Sequence, residues 1–345
     1  MGPDRAGGRG HERGTAEGME ITFLGTGAAW GLPELGCSCR VCQTLRERQE
    51  ERTRTSLLVR GQDTILVDCG PDVRRQLAGV LDSPPDAILL THSHGDHFLG
   101  LDELVSFRRV QERDSWRPIP IYATQETWAR VEQVFGYLLM DMGLLEKRVA
   151  LPGEPLEGLR TRVTPFPTYH GDVARGSVGY IIEAEEQGRT LRLLYTSDFK
   201  DLLGDPPLEG PLDLLVIQSH WLHEPAVNRL HHMSFQRALE FIRRWSPAQV
   251  YLVHISEEYK VEGDPQPRGL KGTPPKDPIL DPRNGLPYPN PLCHDDWQSV
   301  VTRIAEDLGM PQRPVVARDG LVVRLDSGRL PLGGISPGGA SKARA

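Results

Sequence analysis

The stretch THSHGDHFLG, residues 91–100, has four potential metal ligands in six positions: His92, His94, Asp96 and His97. It directly follows the apolar run AILL, which is typical of a buried strand, so we expect the cluster in a loop at the end of that strand. A solvated loop does not require so many imidazoles around a carboxylate, and the short spacing lets them converge on one point. The cluster offers more ligands than one tetrahedral ion can use. It therefore predicts a site for two metal ions.

The predicted site is extended by three more residues that come later in the chain. His170 lies in TPFPTYHGD, Asp198 in LLYTSDFK and His254 in VYLVHISEE, and the last two follow apolar runs. A single histidine or aspartate at a strand end is more often a cap or a turn former. As an ordered set after the first cluster, however, the three are expected to face one cleft, each from the end of a strand.

The order His-x-His-x-Asp-His, followed by His, Asp and His, resembles the motif set of the metallo-β-lactamase superfamily. The resemblance covers roughly residues 19–328, apart from a proline-rich insertion. It implies an α/β fold with four layers, the αββα sandwich, and a dinuclear site along one edge of its sheets. It also implies that Asp198 bridges the two ions, which marks the two-metal hydrolases of the superfamily. The other implied ligands are His92, His94 and His170 for one ion and Asp96, His97 and His254 for the other.

Such a site predicts hydrolytic chemistry. Two ions about 3.5 to 4 Å apart share a water, lower its pKa and polarise a phosphoryl or acyl oxygen. The nucleophile is then a hydroxide rather than a side chain, and Asp96 and His232 are the candidate catalytic residues. His232 lies in RLHHMSFQRALE, just before a predicted helix that Ser234 can cap. The resemblance implies that a histidine there protonates the leaving oxygen; the alternative is a polar helix entry.

Two features of the predicted site keep alternatives open. Asp68, at the end of the strand in ILVDCGP, either accepts a hydrogen bond from a ligand histidine or only fixes its own turn. Histidine and carboxylate ligands accept zinc, manganese or iron. We expect two divalent ions, zinc or manganese, without a choice between them.

A second metal site is predicted from LGCSCRVCQ, residues 35–43, which contains Cys37, Cys39 and Cys42. In a reducing cytoplasm these thiols do not form a lasting disulfide, and the spacing Cys-x-Cys-x-x-Cys lets three thiolates turn toward one soft cation. The alternative is three unlinked thiols in a loop. We expect one structural zinc here.

The residues around these cysteines narrow the resemblance to one group within the superfamily. FLGTGAAWGLPELGCSCRVCQ is similar to the N-terminal signature of the cyclic-phosphate phosphodiesterase group, which includes the enzyme that opens phosphoribosyl 1,2-cyclic phosphate. That group carries a structural zinc, and a related signature occurs in a pyrroloquinoline quinone biosynthesis protein. The group's fourth zinc ligand is a histidine three places after the last catalytic histidine, where this chain has Glu257. Glu257, Cys293 or His294 is therefore expected to complete the site.

The leading hypothesis is a dinuclear phosphoric diester hydrolase that opens a small cyclic phosphate or cyclic nucleotide. A tRNA 3′-end endonuclease would share the metal set and the histidine before a helix, but the insertion of this chain is not strongly basic, unlike an arm that grips tRNA. Hydrolysis of β-lactams or thioesters carries lower weight. A different class is a non-catalytic cofactor-biosynthesis or binding protein on the same fold. The complete ligand set argues against it, because a binding module needs no open dinuclear site.

The composition is that of a soluble globular protein, with 38% hydrophobic and 25% charged residues among 345. The net charge of -7 gives no general attraction to nucleic acid or anionic membranes. We expect a small phosphodiester as the partner, with nucleic acid less favoured, no membrane partner, and a homodimer left open. No run approaches about 20 apolar residues, and the N-terminus lacks the apolar core of a signal peptide, so we expect a cytoplasmic location.

The domain organisation follows from composition along the chain. Residues 1–18 and 329–345 lack an apolar period and are expected to be disordered tails of a catalytic domain at residues 19–328. Nine prolines between residues 263 and 291 predict an extended insertion at about 258–296.

Strands and helices alternate through the rest of the domain. GLDELVSFRRVQE, residues 100–112, has helical spacing, as do ETWARVEQVFGYLL and SFQRALEFIRRW. RPVVARDGLVVRL, residues 313–325, predicts a final pair of strands that turns at Asp319 and Gly320.

Overall fold

A computed structural model of the chain describes residues 18–196, 198–265 and 273–327. The tails predicted at residues 1–18 and 329–345 lie outside these ranges except for Gly18, so their disorder stays a prediction. No helix in the described ranges is both long and apolar enough to cross a membrane.

Fourteen strands form two seven-stranded sheets in the described part of the chain. They are β1 (Met19–Gly25), β2 (Ser56–Arg60), β3 (Thr64–Val67), β4 (Ala87–Leu89), β5 (Ile119–Ala123), β6 (Leu145–Val149), β7 (Arg162–Tyr169), β8 (Val178–Glu186), β9 (Arg189–Tyr195), β10 (Asp201–Leu202), β11 (Leu214–Gln218), β12 (Gln249–Val253), β13 (Val315–Val316) and β14 (Leu321–Leu325). The first sheet has the order β14-β1-β2-β3-β4-β5-β6, and the second has the order β10-β7-β8-β9-β11-β12-β13.

Each sheet has a parallel half. In the first sheet β3, β4, β5 and β6 are parallel neighbours, and in the second β9, β11, β12 and β13 are parallel neighbours. The other pairs are antiparallel. Because β7 and β9 are both antiparallel to β8, they run in the same direction. The carboxyl ends of β7, β9, β11 and β12 therefore meet at one edge of the second sheet.

Seven α-helices accompany the sheets in the described ranges. They are α1 (Arg40–Arg48), α2 (Val73–Leu77), α3 (Gly95–Phe98), α4 (Val105–Val110), α5 (Gln125–Met140), α6 (Phe235–Trp245) and α7 (His294–Asp307). The predicted cap of α6 is confirmed, because Ser234 Oγ accepts the N–H of Arg237 at 3.1 Å. Thr124 caps α5 in the same way, accepting from the N–H of Thr127.

Alternate residues of the buried strands face different apolar clusters, as the two-residue period of a strand requires. Ile65 and Val67 of β3 lie in the cluster between the sheets, whereas Leu66 packs in the cluster that contains the α5 side chains. On the second sheet, Val216 faces the inner cluster and Leu215 faces the cluster with α6 and α7. The layers are thus helix, sheet, sheet and helix, and the predicted αββα sandwich is confirmed.

The prediction of a final strand pair is wrong. β13 pairs with β12 in the second sheet and β14 pairs with β1 in the first, so the chain crosses between the sheets. Asp319 anchors the crossing: its carboxylate accepts from Thr26 Oγ1 at 2.7 Å and from the N–H of Thr53 at 2.6 Å. These contacts hold the expected turn against loops of the first sheet, which is consistent with β14 joining that sheet.

Two other segments differ from the predicted elements, and the cysteine stretch, for which no element was predicted, is partly helical. Residues 100–112 form a 3₁₀ turn at Leu101–Leu104 followed by the short helix α4, instead of one helix. The predicted proline-rich insertion ends earlier than expected, because α7 begins at His294. The cysteine stretch is also more regular than a loop, since α1 begins one residue after Cys39.

Candidate metal centre

The predicted ligands lie at the carboxyl ends of strands from both sheets. His92, His94, Asp96 and His97 occupy the loop after β4 and the start of α3. In the second sheet, His170 follows β7, Asp198 follows β9 by three residues, and His254 follows β12. Because these strands point toward one edge, all seven side chains are brought together across the interface of the sheets.

One ligand group consists of three imidazoles, those of His92, His94 and His170. The ring centres of His92 lie 4.7 Å from His94 and 4.9 Å from His170, and Nδ1 of His94 lies 3.1 Å from Nε2 of His170. His170 Nδ1 donates to the carbonyl of His231 at 2.9 Å. Its Nε2 therefore keeps a lone pair directed at the group.

The second ligand group joins two carboxylates to two imidazoles. Asp198 Oδ2 lies 2.7 Å from Nε2 of His254 and 3.3 Å from Nε2 of His97. Asp96 Oδ2 lies 3.0 Å from the same nitrogen of His97. Asp198 also clusters with His170, so it reaches both groups. It is thus placed between them, as a bridging carboxylate would be.

The donor set fits a pair of divalent cations. Four buried atoms of the centre lack a hydrogen-bond partner in the described part of the chain: His92 Nε2, His97 Nε2, His254 Nε2 and Asp198 Oδ1. Buried polar atoms without partners are rare and costly in folded proteins. Nε2 of His97 and Nε2 of His254 lie close to carboxylate oxygens without hydrogen-bond geometry. This is the arrangement expected when lone pairs converge on common cations.

The electrostatics differ between the two groups. Although burial favours the neutral acid, the charges of His254 and His97 hold the pKa of Asp198 well below its ordinary value. Burial opposes charge on His254 too, but Asp198 raises the pKa of that ring to about 9. In the first group, burial lowers the pKa of His92 well below its ordinary value and that of His170 to about 4. The first group is therefore neutral at pH 7, the form in which imidazole binds cations.

Asp68 sets the orientation of His97. Its Oδ2 accepts from Nδ1 of His97 at 2.7 Å, and the carboxylate also accepts from the N–H and Oγ1 of Thr91. This bond leaves Nε2 of His97 free to face the ligand group. Asp68 and His254 both have left-handed backbones, with φ of 61° and 59°, which is unfavourable for residues other than glycine. Such strained backbones cluster at functional sites when the surrounding structure holds them in place. The predicted contact of Asp68 with a histidine of the cluster is present, at His97, whose role as a ligand stays a prediction.

His232 lies at the margin of the centre. Its ring stacks on His220, with centres 4.1 Å apart and planes 5° from parallel, and its Nδ1 lies 3.8 Å from Asp198 Oδ2. Burial lowers its pKa well below the ordinary value. This places a neutral imidazole beside the shared carboxylate.

Gln218 was missed by the sequence interpretation. It is the last residue of β11 and fully buried, and its Nε2 lies 2.6 Å from His232 Nδ1 and 3.0 Å from His254 Nδ1. The available signal was a glutamine that ends the apolar run LLVI.

Two other histidines of the same region have different surroundings. His220 Nε2 lies 2.8 Å from Glu258 Oε2, and its Nδ1 lies 3.4 Å from His254 Nδ1. His223 is instead turned away, with Nε2 donating to the carbonyl of Tyr288 at 2.8 Å. His220 therefore packs beside His254 of the second ligand group, whereas His223 binds the backbone of the proline-rich segment.

The cysteine cluster is also assembled. The sulfurs of Cys37, Cys39 and Cys42 lie within 4.8 Å of one another. Sulfur ligands of a tetrahedral zinc are separated by about 3.8 Å, given bonds of about 2.3 Å, so the three thiols fit one ion. A hydrogen bond with Cys39, burial, and the nearby charges of Cys39 and Glu257 raise the pKa of the metal-free Cys42 thiol.

The candidates for a fourth ligand differ in their surroundings. The charge of Glu257, which is only 4% exposed, acts on Cys42. Nδ1 of His294 lies instead 2.8 Å from Nη2 of Arg52. The thiol of Cys293 is buried and interacts with Asp296 at the start of α7. Because its charge acts on Cys42, we propose Glu257 as the fourth ligand.

Three similarities to known proteins bear on the chain. An octanoyltransferase of Porphyromonas gingivalis is 33% identical over 249 residues, 69% of this chain and 46% of that protein. A coenzyme PQQ synthesis protein B of Methylococcus capsulatus is 30% identical over 205 residues, 50% of this chain and 64% of that protein. The chain thus spans about half to two thirds of the length of these relatives. A diphosphatase from the PhnP family has a similar fold, with a TM-score of 0.62 and 24% identity over 89% of this chain and 98% of that one.

The family assignment rests on a match over the central part of the fold. Residues 63–255 match the β-lactamase superfamily domain. The matched range runs from the residue before β3 to the residue after His254 and includes all seven residues of the two ligand groups. It spans more than half of the 345 residues. The chain therefore belongs to the metallo-β-lactamase superfamily, whose members are generally hydrolases.

Proposed function

We propose that this protein is a dinuclear metal-dependent phosphodiesterase that opens a small cyclic phosphate or cyclic nucleotide. The observation that carries the proposal is the position of Asp198, whose Oδ2 lies 2.7 Å from His254 and 3.3 Å from His97 while the residue also clusters with His170. A carboxylate shared by two ligand groups is suited to holding two cations at the short separation that phosphoryl transfer uses.

Two zinc or manganese ions held by His92, His94, His170, Asp96, His97, His254 and Asp198 would polarise the phosphoryl group and lower the pKa of a water. The chain itself supplies position and protons. Asp68 fixes the ring of His97, and Asp198 and Asp96 add negative charge that keeps the cations in place. All seven ligand assignments are proposals. The catalytic role proposed for Asp96 is that of a ligand in the group with His97 and His254.

His232 completes the reaction as the proposed general acid. When the oxygen of water bonds to phosphorus, one P–O ester bond breaks and the departing alkoxide needs a proton. His232 lies beside the shared carboxylate and is neutral at pH 7, with one N–H to give. The proton passes from this ring to the leaving oxygen, and the ring recovers a proton from solvent.

The experiment is hydrolysis of bis-p-nitrophenyl phosphate and of 2′,3′-cyclic AMP by protein loaded with zinc or manganese. Asp198→Asn is expected to lose at least one equivalent of metal and nearly all activity. The matched control is Asp205→Asn, which removes an exposed carboxylate that pairs with Arg244 on the surface. Wild-type protein that holds two ions and hydrolyses neither substrate would refute the proposal.

A second candidate is a binding protein of a cofactor-biosynthesis pathway, favoured by the 30% identity to coenzyme PQQ synthesis protein B. Inactivity of folded, metal-replete protein toward all phosphodiesters would move this candidate ahead.

A further inference from the structure

Gln218 is oriented by contacts that leave no choice for its amide. Its Oε1 accepts from the N–H of Phe199 at 2.9 Å and from the N–H of Met233 at 3.1 Å. Backbone N–H groups only donate, so the atom that faces them is the oxygen. The amide nitrogen therefore faces the imidazoles, 2.6 Å from His232 Nδ1.

This orientation determines where His232 carries its proton. An amide nitrogen donates and does not accept, so Nδ1 of His232 must be the acceptor. A neutral imidazole has one N–H, which leaves the proton on Nε2. The second nitrogen of the ring is thus the one that can give a proton.

The neighbouring rings agree with this arrangement. His254 directs Nε2 at Asp198, 2.7 Å away, and its Nδ1 lies on the side of Gln218. Nδ1 of His220 lies 3.4 Å from that atom and can accept, because His220 uses Nε2 to donate to Glu258. The amide nitrogen of Gln218 lies near both rings, and its contact with His232 Nδ1, at 2.6 Å, is shorter than its contact with His254 Nδ1, at 3.0 Å.

Gln218 also connects the segment after β9 and the segment before α6 to the end of β11. Phe199 follows Asp198, Met233 follows His232, and Gln218 itself ends β11 beside β12. We propose that Gln218 is a positioning residue that holds His232 in the Nε2–H tautomer for protonation of the leaving oxygen. The inference rests on the proposed function for its consequence in catalysis, but the tautomer itself does not depend on turnover.

The first test is ¹⁵N NMR of histidine-labelled, zinc-loaded protein, with His232→Gln used to assign the signals of His232. Wild-type His232 is expected to show the Nε2–H tautomer, and Gln218→Met is expected to shift it toward Nδ1–H or a mixture. A wild-type Nδ1–H tautomer, or an unchanged tautomer in Gln218→Met, would overturn the proposal. The tautomer of His232 can be measured in this way even if the protein hydrolyses none of the substrates.

The second test separates positioning from general damage. Gln218→Met is expected to slow hydrolysis of 2′,3′-cyclic AMP, which has an alkoxide leaving group, about 100-fold more than hydrolysis of methyl p-nitrophenyl phosphate, because p-nitrophenolate leaves without a proton. Metal content is measured in the same samples. Equal losses for both substrates with metal retained would show a merely structural role.

The control for both tests is Gln236→Met. Gln236 lies on α6, accepts from the N–H of Glu224 and donates to the carbonyl of Asp277, and these bonds do not involve His232. It should leave the tautomer and the ratio of the two rates at wild-type values. Absence of any hydrolysis by wild-type protein would end the proposed function, whereas the NMR result would still decide the role of Gln218.

Discussion

Oδ2 of Asp68 lies 2.7 Å from Nδ1 of His97, and neither side chain is exposed to solvent. This pair connects a loop of the first sheet to the ligand group that contains Asp198. The orientation of the His97 ring therefore depends on a residue that lies outside the two ligand groups.

We expect Asp68→Asn to weaken metal binding 10- to 100-fold, since contacts that orient ligand histidines typically have this effect. The measurement is competition with a chromophoric chelator. Asp63→Asn is the matched control, because Asp63 is also a buried carboxylate but binds the backbone of Arg160 and Thr161. Equal affinities for wild type and Asp68→Asn would contradict the orienting role.

The role of His232 predicts a dependence on the leaving group. His232→Gln should lower the rate for 2′,3′-cyclic AMP by about 100-fold or more and the rate for bis-p-nitrophenyl phosphate by much less. His231→Gln is the control, because His231 contacts His170 through its backbone carbonyl and keeps that bond. Uniform loss on both substrates would point to a different function for His232.

The cysteine cluster predicts one zinc separate from the metal centre. Cys37→Ser and Glu257→Gln should each lower the zinc content by up to one equivalent and reduce the melting temperature, because a structural zinc contributes directly to folding. Elemental analysis and thermal unfolding measure the two effects. Cys293→Ser and His294→Gln serve as controls, and zinc loss in either of them instead would reassign the fourth ligand.

The surroundings of His294 predict a pH effect on stability. Burial, with the positive charges of Arg52 and Arg318, lowers the pKa of His294 to about 3. The unfolded chain takes up a proton near pH 6.5 that the folded chain does not, so stability falls as pH drops from about 6.5 toward 3. Between pH 6 and pH 4 this group should remove about 2 kcal/mol.

The check is chemical denaturation of metal-free protein at pH 6 and pH 4. His294→Gln keeps an acceptor for Arg52 but cannot take up a proton, so its free energy of unfolding should decline less over this interval. Parallel declines for wild type and variant would refute the predicted contribution.

The ligand residues could be predicted from sequence because their signal is local. His92, His94, Asp96 and His97 lie in one short loop, and a cluster of donors in so few positions has few other uses. Asp198 and His254 were recognisable because each follows an apolar run that ends at the same sheet edge. The order of these residues was sufficient for the family and for the αββα layers.

The missed features depend on contacts between distant segments. The orientation of Gln218 depends on the N–H groups of Phe199 and Met233, which come from other segments of the chain. No spacing in the sequence predicts these contacts. Likewise, the sequence suggests that Asp319 is only a turn residue, but its carboxylate accepts from Thr26 and Thr53, 293 and 266 positions earlier. Local turn chemistry cannot tell which sheet a following strand will join.

The pairing of Met19 with Leu325 puts the two ends of the described chain side by side. β1 has seven residues, so this pair lies about 20 Å along the strand from Gly25, whose following loop contacts the segment after His254. A circular permutant that joins these ends with a short linker should keep both sheets intact. Proteins fused directly to Met19 and Leu325 would therefore leave the fold side by side, about the length of β1 away from the two ligand groups.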